Sequence, residues 1–566
     1  MPIRDGGALS VSTKLMVFQL IVVVGVSAFI FFFGLGSLGL LGADEPRYAQ
    51  IGREMFDRHD WIVPTLNGTP WLEKPVLLYW MEMISYRFYG VHDWAARVPS
   101  GMLALGLTLA TFFFMRRFRP GTEMDAALIT CSMVGVLAFA RGASTDMPLS
   151  APFCAALLAW WAWNQTERKT WLGAFYVLLG IGALAKGPVA PAFAVLIVAA
   201  YAVLQRQGKF FFRTLWAPGF ALFAVVTLPW YIAVQSKVPQ FFHIFFVEHN
   251  LERFGTNLYR HSQPFWYYIP VFLAWVMPWI LFTVPALFLA VRDIIKRIRN
   301  AGEDAAPQLS LQTEPQASST SRPDAAKPDA AKDDGLTLFL ALWIIIPIVF
   351  FSISRSKLPG YILPAIPPAG LLTATFLHRL KKIPRVLLMC HSLLCGTLLA
   401  ATLMVPWQMY KQPVPVATRY IIMVSAGVIA IAVLLLVRRR GLQTLHFATV
   451  LPLMLGITFL LHPSVGSLID QKVSARAVDS RLRELGVASG PILAFDVKRE
   501  VFYGLNFYRN QNILRYEDGV PPDQHVLVTR LGNIDAVRAL VGDRQVSSLG
   551  IFAPRSLEFF QVAKSK

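Results

Sequence analysis

Two short charged runs, Asp44-Glu45-Pro46-Arg47-Tyr48 and Glu73-Lys74-Pro75, follow the first long apolar stretch of a chain otherwise poor in charge. Ionisable groups this close to hydrocarbon are costly and mark a functional site. Three later loops fall on the same side in the order of apolar runs. They carry Arg141 with Ser144-Thr145-Asp146-Met147-Pro148, then His243, Glu248, His249, Glu252, Arg253 and Arg260, then Ser356-Lys357-Leu358-Pro359-Gly360-Tyr361. Carboxylates and cations gathered at one membrane face suit a reaction on a phosphorylated lipid. Lys or Arg would stabilise the departing phosphate. A carboxylate would take the proton of a hydroxyl acceptor; with a phosphate acceptor it would orient the sugar or a sugar amine instead.

Membrane spans must hold these loops. Of 566 residues, 55% are hydrophobic and 15% charged, with a mean hydropathy of +0.50, which no ordinary soluble domain shows. Apolar runs recur at 14–41, 98–115, 125–141, 148–163, 171–185, 188–204, 215–235, 266–291, 336–354, 361–378, 386–405, 418–437 and 444–461. They predict a polytopic α-helical membrane protein with about 13 transmembrane helices. The first run is too long for a signal-peptide core and reads as a retained span. The net charge of +19 collects in alternate loops, as at Arg116, Arg117 and Arg119 or Arg438, Arg439 and Arg440. That excess marks the cytoplasmic side and needs no nucleic-acid partner. The N-terminus then lies inside, and the motif-bearing loops and C-terminus lie outside. Cys131, Cys154, Cys390 and Cys395 sit within apolar runs without metal-ligand spacing and read as packing residues.

Outside the spans, residues 42–97 form an outer loop whose mixed apolar, charged and aromatic residues predict short helices lying along the interface. Residues 300–335, rich in Ala, Asp, Pro, Ser, Gln and Lys, read as a disordered cytoplasmic linker. The spanning part, 1–464, is followed by a tail, 465–566, in which helical periodicity at 473–485 and 534–541 alternates with buried-strand patterns at 491–495 and 525–529. That mixture predicts a small α/β domain, serving as a lid, a scaffold or an acceptor-docking module.

The run from Ala43 to Trp80, with Asp44-Glu45-Pro46-Arg47-Tyr48-Ala49, Trp61-Ile62-Val63-Pro64 and Glu73-Lys74-Pro75, resembles bacterial aminoarabinose transferases of lipid A. Ser356-Lys357-Leu358-Pro359-Gly360-Tyr361-Ile362-Leu363-Pro364 is similar to a second signature of that group. The group belongs to the protein-mannosyltransferase-like glycosyltransferases of the GT-C fold. The resemblance implies a periplasmic C-terminal domain, the bacterial inner membrane and an undecaprenyl-phosphate sugar donor. It also implies lipid A or another envelope acceptor on the periplasmic face. Carried over by motif, Asp44 is the principal active-site carboxylate and Asp146 a second. Lys74 and Arg253 hold the lipid phosphate, with Arg47, Tyr48, Lys357 and Tyr361 nearby. Glu73 and His249 are candidates for part of a divalent metal site, zinc or magnesium, although no cofactor is required.

Other uses of the same residues set the alternatives. Asp44 and Glu45 suit a helix N-terminus, Asp146 beside Pro148 suits a helix cap, and Lys74, Lys186, Lys357 and Tyr361 suit membrane-boundary anchors. The Ser144-Thr145-Asp146-Met147-Pro148 form of its loop and the cytoplasmic linker are typical of broader relatives, which leaves protein or another glycan as acceptor. A lipid or solute transporter is the rival from another class. It would show internal repeats and charge at mid-depth, whereas here the charge lies in outer loops.

Overall fold

The structure, a computed structural model, describes residues 11–206, 208–252, 263–303, 335–380 and 382–564. The expected linker at 300–335 lies almost wholly outside them.

The first helix, α1 (Val11–Phe32), stops well before the expected 41. Hydropathy continues past Phe32, but glycine takes over, with Gly34 and Gly42 in the left-handed region at φ +61° and +63°, where other residues are strained. The carbonyls freed at the helix end need donors. Arg141 supplies them to Ile30 and Phe33 at 2.9 and 2.8 Å. Arg97 supplies them to Leu35, Leu38 and Gly39 at 3.0, 2.6 and 2.7 Å.

The two short helices expected in the 42–97 loop form as α2 (Asp44–Arg58) and α3 (Leu77–Tyr89). They approach closely at Gly52, where a Cβ would overlap the Glu82 carboxylate. Tyr48, Ile51, Met55, Tyr79 and Met83 share an apolar cluster with Leu184, Trp230 and Phe245, which seats this pair on the spans. Between them runs a hairpin, β1 (Thr65–Leu66) and β2 (Thr69–Pro70), paired Thr65 to Pro70. Asn67 and Gly68 at φ +54° and +76° turn it, the Asn-Gly choice that a two-residue hairpin favours. Glu54 fastens the turn to α2, accepting from the Thr65 hydroxyl and the Asn67 amide at 2.7 Å each and from the Gly68 amide at 3.1 Å.

Next come α4 (Asp93–Phe118), α5 (Glu123–Ser132) and α6 (Val134–Ala140). The run expected as one span at 125–141 is therefore broken, bent by 65° between α5 and α6. Met133 is extended there. The break is braced from outside: the Val134 amide donates to the Met277 carbonyl at 3.0 Å, and the Trp279 indole donates to Ser132 Oγ at 2.9 Å. Then follow α7 (Asp146–Thr166), α8 (Lys169–Lys186) and α9 (Val189–Leu204). Every expected apolar run contains helix. Among the described residues eight helices are long and apolar enough to cross a membrane, or nine with α5 and α6 as one. The chain is a multi-pass membrane protein. Buried aromatics tie the bundle together, with Trp160 and Trp161 each 5.2 Å from the Phe339 ring.

The tail carries a five-stranded sheet in the order β4-β3-β5-β7-β6. The expected strands appear as β3 (Ile492–Phe495) and β5 (His525–Arg530), which run parallel with Leu493 beside Leu527. The helix at 534–541 is also present. Helix Arg499–Arg509, β4 (Leu514–Arg515), β6 (Val546–Phe552) and β7 (Leu557–Val562) complete the domain. The helix expected at 473–485 forms as Arg476–Glu484, and a further helix, Pro463–Val473, precedes it, separated at Ser474, which bridges to Leu41. Arg476 locks the tail to the bundle. It pairs with Asp93 and Asp470 at 2.9 Å each and donates to the carbonyls of Gly36 and Ser37.

Candidate active site

The first turn of α2 presents Asp44 and Arg47 together, because residues three apart share a helix face. Arg47 Nη2 lies 2.6 Å from Asp44 Oδ1 and 4.0 Å from Glu73 Oε2. The Asp44 side chain is 61% exposed and that of Arg47 only 7%, so the pair has one buried end and one open carboxylate. The Arg47 guanidinium also lies over the rings of Tyr48, Trp71 and Tyr503 at 5.1, 5.0 and 5.7 Å. Burial would favour a neutral Arg47, but Tyr48, Asp44 and Glu73 outweigh it and push its pKa upward. Burial raises the Tyr48 phenol, with Asp44, Glu73 and Asp146 adding to the rise against Arg47, so Tyr48 remains a neutral phenol that accepts from Arg47.

Asp146 acts on Tyr48 because α7 begins opposite α2. Its Oδ1 lies 2.5 Å from Lys186 Nζ, at the end of α8. Lys186 also sits 5.9 Å from the Tyr361 ring centroid. Gly360 packs so tightly on the Asp146 carboxylate that a Cβ would collide with it. Five separate segments of sequence therefore meet around one small volume, with acids and cations interleaved.

A family model for dolichyl-phosphate-mannose-protein mannosyltransferase matches residues 38–245. The undecaprenyl phosphate-alpha-4-amino-4-deoxy-L-arabinose arabinosyl transferase of Serratia proteamaculans (strain 568) is 30% identical over 505 residues, 82% of this chain and 83% of the relative. The chain belongs to this transferase family. The Yersinia enterocolitica member is 28% identical over 527 residues, covering 85% of this chain and 86% of the relative. The crystal structure of ArnT from Cupriavidus metallidurans bound to undecaprenyl phosphate shares the GT-C fold. It has a TM-score of 0.71 at 21% identity and covers 97% of this chain and 98% of that one.

Against that family the remaining candidates divide. Lys74 stands beside Glu73 and donates to its carbonyl at 3.3 Å. Lys357 is buried, and its ammonium donates to the Ser354 carbonyl of its own loop. The Tyr361 ring lies tilted against Phe351 at 4.9 Å and faces Lys186. Arg253 lies outside the described residues, as does the side chain of His249. Glu73, the other candidate metal ligand, faces the Arg47 guanidinium. Among the described residues no group of three His, Cys, Asp or Glu side chains gathers as a metal site would require.

Two residues were read differently from sequence. Lys186, taken as a boundary anchor, is the partner of Asp146. A Lys-Gly-Pro break between two apolar runs was the available signal, since a lysine there ends a helix at the depth of the outer loops. Glu45 turns away from the cluster. It accepts from Arg97 at 2.5 Å and from the amides of Leu41 and Ala143 at 2.8 and 3.1 Å.

Proposed function

We propose that this chain transfers 4-amino-4-deoxy-L-arabinose from undecaprenyl phosphate to a phosphate of lipid A, at the periplasmic face of the bacterial inner membrane. The observation that carries this reading is 30% identity to the Serratia proteamaculans enzyme of that name across 82% of the chain. The meeting of Asp44, Arg47, Glu73, Asp146 and Lys186 supports it.

The reaction breaks the bond from the anomeric carbon to the donor phosphate oxygen and makes one to an acceptor phosphate oxygen. A phosphate monoester carries roughly two charges at neutral pH. It keeps one on becoming a diester, and the departing lipid phosphate gains the charge the acceptor loses. No proton has to leave the acceptor, so no general base is required. The site must instead offer cations near both phosphates and acids for the sugar ammonium. We assign Lys74 and Arg253 to the lipid phosphate, with Arg47 and Tyr48 on the same face. Asp44 and Asp146 orient the aminosugar, Glu73 orients Arg47, and Lys186 orients Asp146. Lys357 and Tyr361 hold the loop that closes on Asp146. The match of residues 38–245 to a protein mannosyltransferase model favours a protein acceptor as the second reading.

The test is transfer by purified full-length protein in nanodiscs, with undecaprenyl-phosphate aminoarabinose and lipid A, read by mass spectrometry. Wild type should add the pentose to lipid A, and an Asp44→Asn variant should not. Transfer only to protein or another glycan would replace the acceptor. No transfer to any acceptor would overturn the reading.

A further inference from the structure

A groove of about 600 Å³ runs between the β1–β2 hairpin and the tail domain, where helix Arg499–Arg509 and β4 form its far wall. Its size is that of a small-ligand site. Trp71, Phe502 and Tyr503 line it together with Arg499, Arg515 and Asp518. Arg515 stacks over Phe502 at 4.1 Å and Arg499 over Tyr503 at 5.7 Å. A guanidinium stacked by its face keeps its in-plane N–H edge for an oxyanion. Trp71 and Tyr503 are also the rings beneath Arg47. The groove and the candidate active site thus share a wall.

That wall is built rather than incidental. The buried Asn506 donates to Asn67 Oδ1 at 2.9 Å and accepts from the Ile513 amide at 3.2 Å. Arg53 donates to the Phe507 carbonyl at 2.8 Å. Hairpin and helix are held apart at a fixed spacing before any ligand arrives, which lowers the ordering cost of binding.

We propose that this groove is the docking subsite for the phosphorylated sugar headgroup of the acceptor glycolipid. Arg499 and Arg515 take a phosphate other than the one being modified, the aromatic faces take the sugar ring, and Asp518 accepts from ring hydroxyls. The proposal rests on the transferase reading above and adds where its acceptor is recognised. One headgroup with two phosphates then reaches from Arg515 across the shared Trp71 and Tyr503 wall toward the candidate active site.

The test uses full-length protein in nanodiscs, comparing wild type with an Arg499→Gln/Arg515→Gln double variant. Binding of diphosphorylated and monophosphorylated lipid A is measured without donor, and transfer kinetics with it. Loss of two charge-assisted contacts should raise the acceptor KM and Kd on the order of tenfold or more. The donor KM, kcat and thermal midpoint should hold. The preference of wild type for the diphosphorylated acceptor should vanish in the variant. Unchanged acceptor binding in a folded double variant overturns the proposal, even where transfer proceeds. Weakened binding upholds it even where no transfer is seen, which would count against the transferase reading alone. The exposed Arg499→Gln single variant gives the same readouts should the pair fail to fold.

Discussion

Asp44 and Glu45 are neighbours in sequence and opposites in use. Glu45 faces inward, where one oxygen takes Arg97 and the Leu41 amide and the other takes the Ala143 amide. The Arg97 Nη groups also donate to three carbonyls of the turn after α1. Asp44 faces outward, shares one guanidinium with Glu73, and keeps most of its surface open. In the inward knot both Glu45 oxygens and both Arg97 Nη groups have partners within the protein. The outward cluster pairs its acids with Arg47 and Lys186 yet leaves the Asp44 carboxylate open to solvent, where a ligand can reach it. One α2 turn thus carries both the bolt that fixes the site and the site itself.

Breaking the bolt should have the largest effect. Arg97→Ala strands a buried carboxylate and three carbonyls. Losing one member of a buried pair costs about 3–5 kcal/mol. We expect a sharp fall in folded yield and thermal midpoint in detergent. A variant as stable as wild type would mean that Glu45 finds water, and the knot would not be what holds the turn. Asp44→Asn should do the reverse. Its transfer rate should fall on the order of a hundredfold, the scale of losing one preorganised electrostatic contact, while the midpoint stays put. A lower midpoint with normal rate would move Asp44 into the structural class beside Glu45.

How much of this contrast was legible from sequence follows from which forces act locally. Helix periodicity and hydropathy are local, so α2, α3 and the apolar runs were readable. The Asp44 cluster could be found because a charge near hydrocarbon announces itself. The end of α1 could not be read, because apolar glycine and leucine continue the hydropathy signal beyond the helix. The break at Met133 was hidden for a related reason: its brace comes from Met277 and Trp279, far along the chain. The roles of Arg97 and Lys186 depend on partners 52 and 40 residues away, a separation no local pattern encodes. In the tail, β6 alternates little and is largely exposed, so nothing marked it as a strand.

Lys186 sharpens the comparison from the other side. If it steers Asp146 rather than stabilising the bundle, Lys186→Met should lower the transfer rate by about tenfold, the scale of 1.4 kcal/mol. The thermal midpoint should fall less than in Arg97→Ala, because the Lys186 and Asp146 side chains keep partial access to water, whereas Arg97 is buried. Lys186→Arg should recover part of the rate. A midpoint collapse in the methionine variant would place this pair with Glu45 and Arg97.

A third acid tests what the inward side tolerates. Glu82 on α3 is fully buried against Gly52, and neither carboxylate oxygen has a hydrogen-bond partner among the described residues. Burial, and secondarily the nearby Glu45, raise its pKa well above the ordinary glutamate value. The folded state therefore holds a proton that the unfolded chain releases first. A raised carboxyl pKa makes its contribution to stability greatest below the unfolded value and erodes it as pH rises toward the folded one. Across that window the loss is about 1.4 kcal/mol per pH unit. Glu82→Gln keeps the shape and removes the titration. The variant should match wild type in acid, exceed it at neutral pH and above, and lack that slope in denaturation midpoints measured across the series. Parallel pH profiles for the two proteins would mean that Glu82 is charged and has a partner in solution. The interior around α2 and α3 would then be a second wet, open region, and the contrast between the two faces of α2 would not hold.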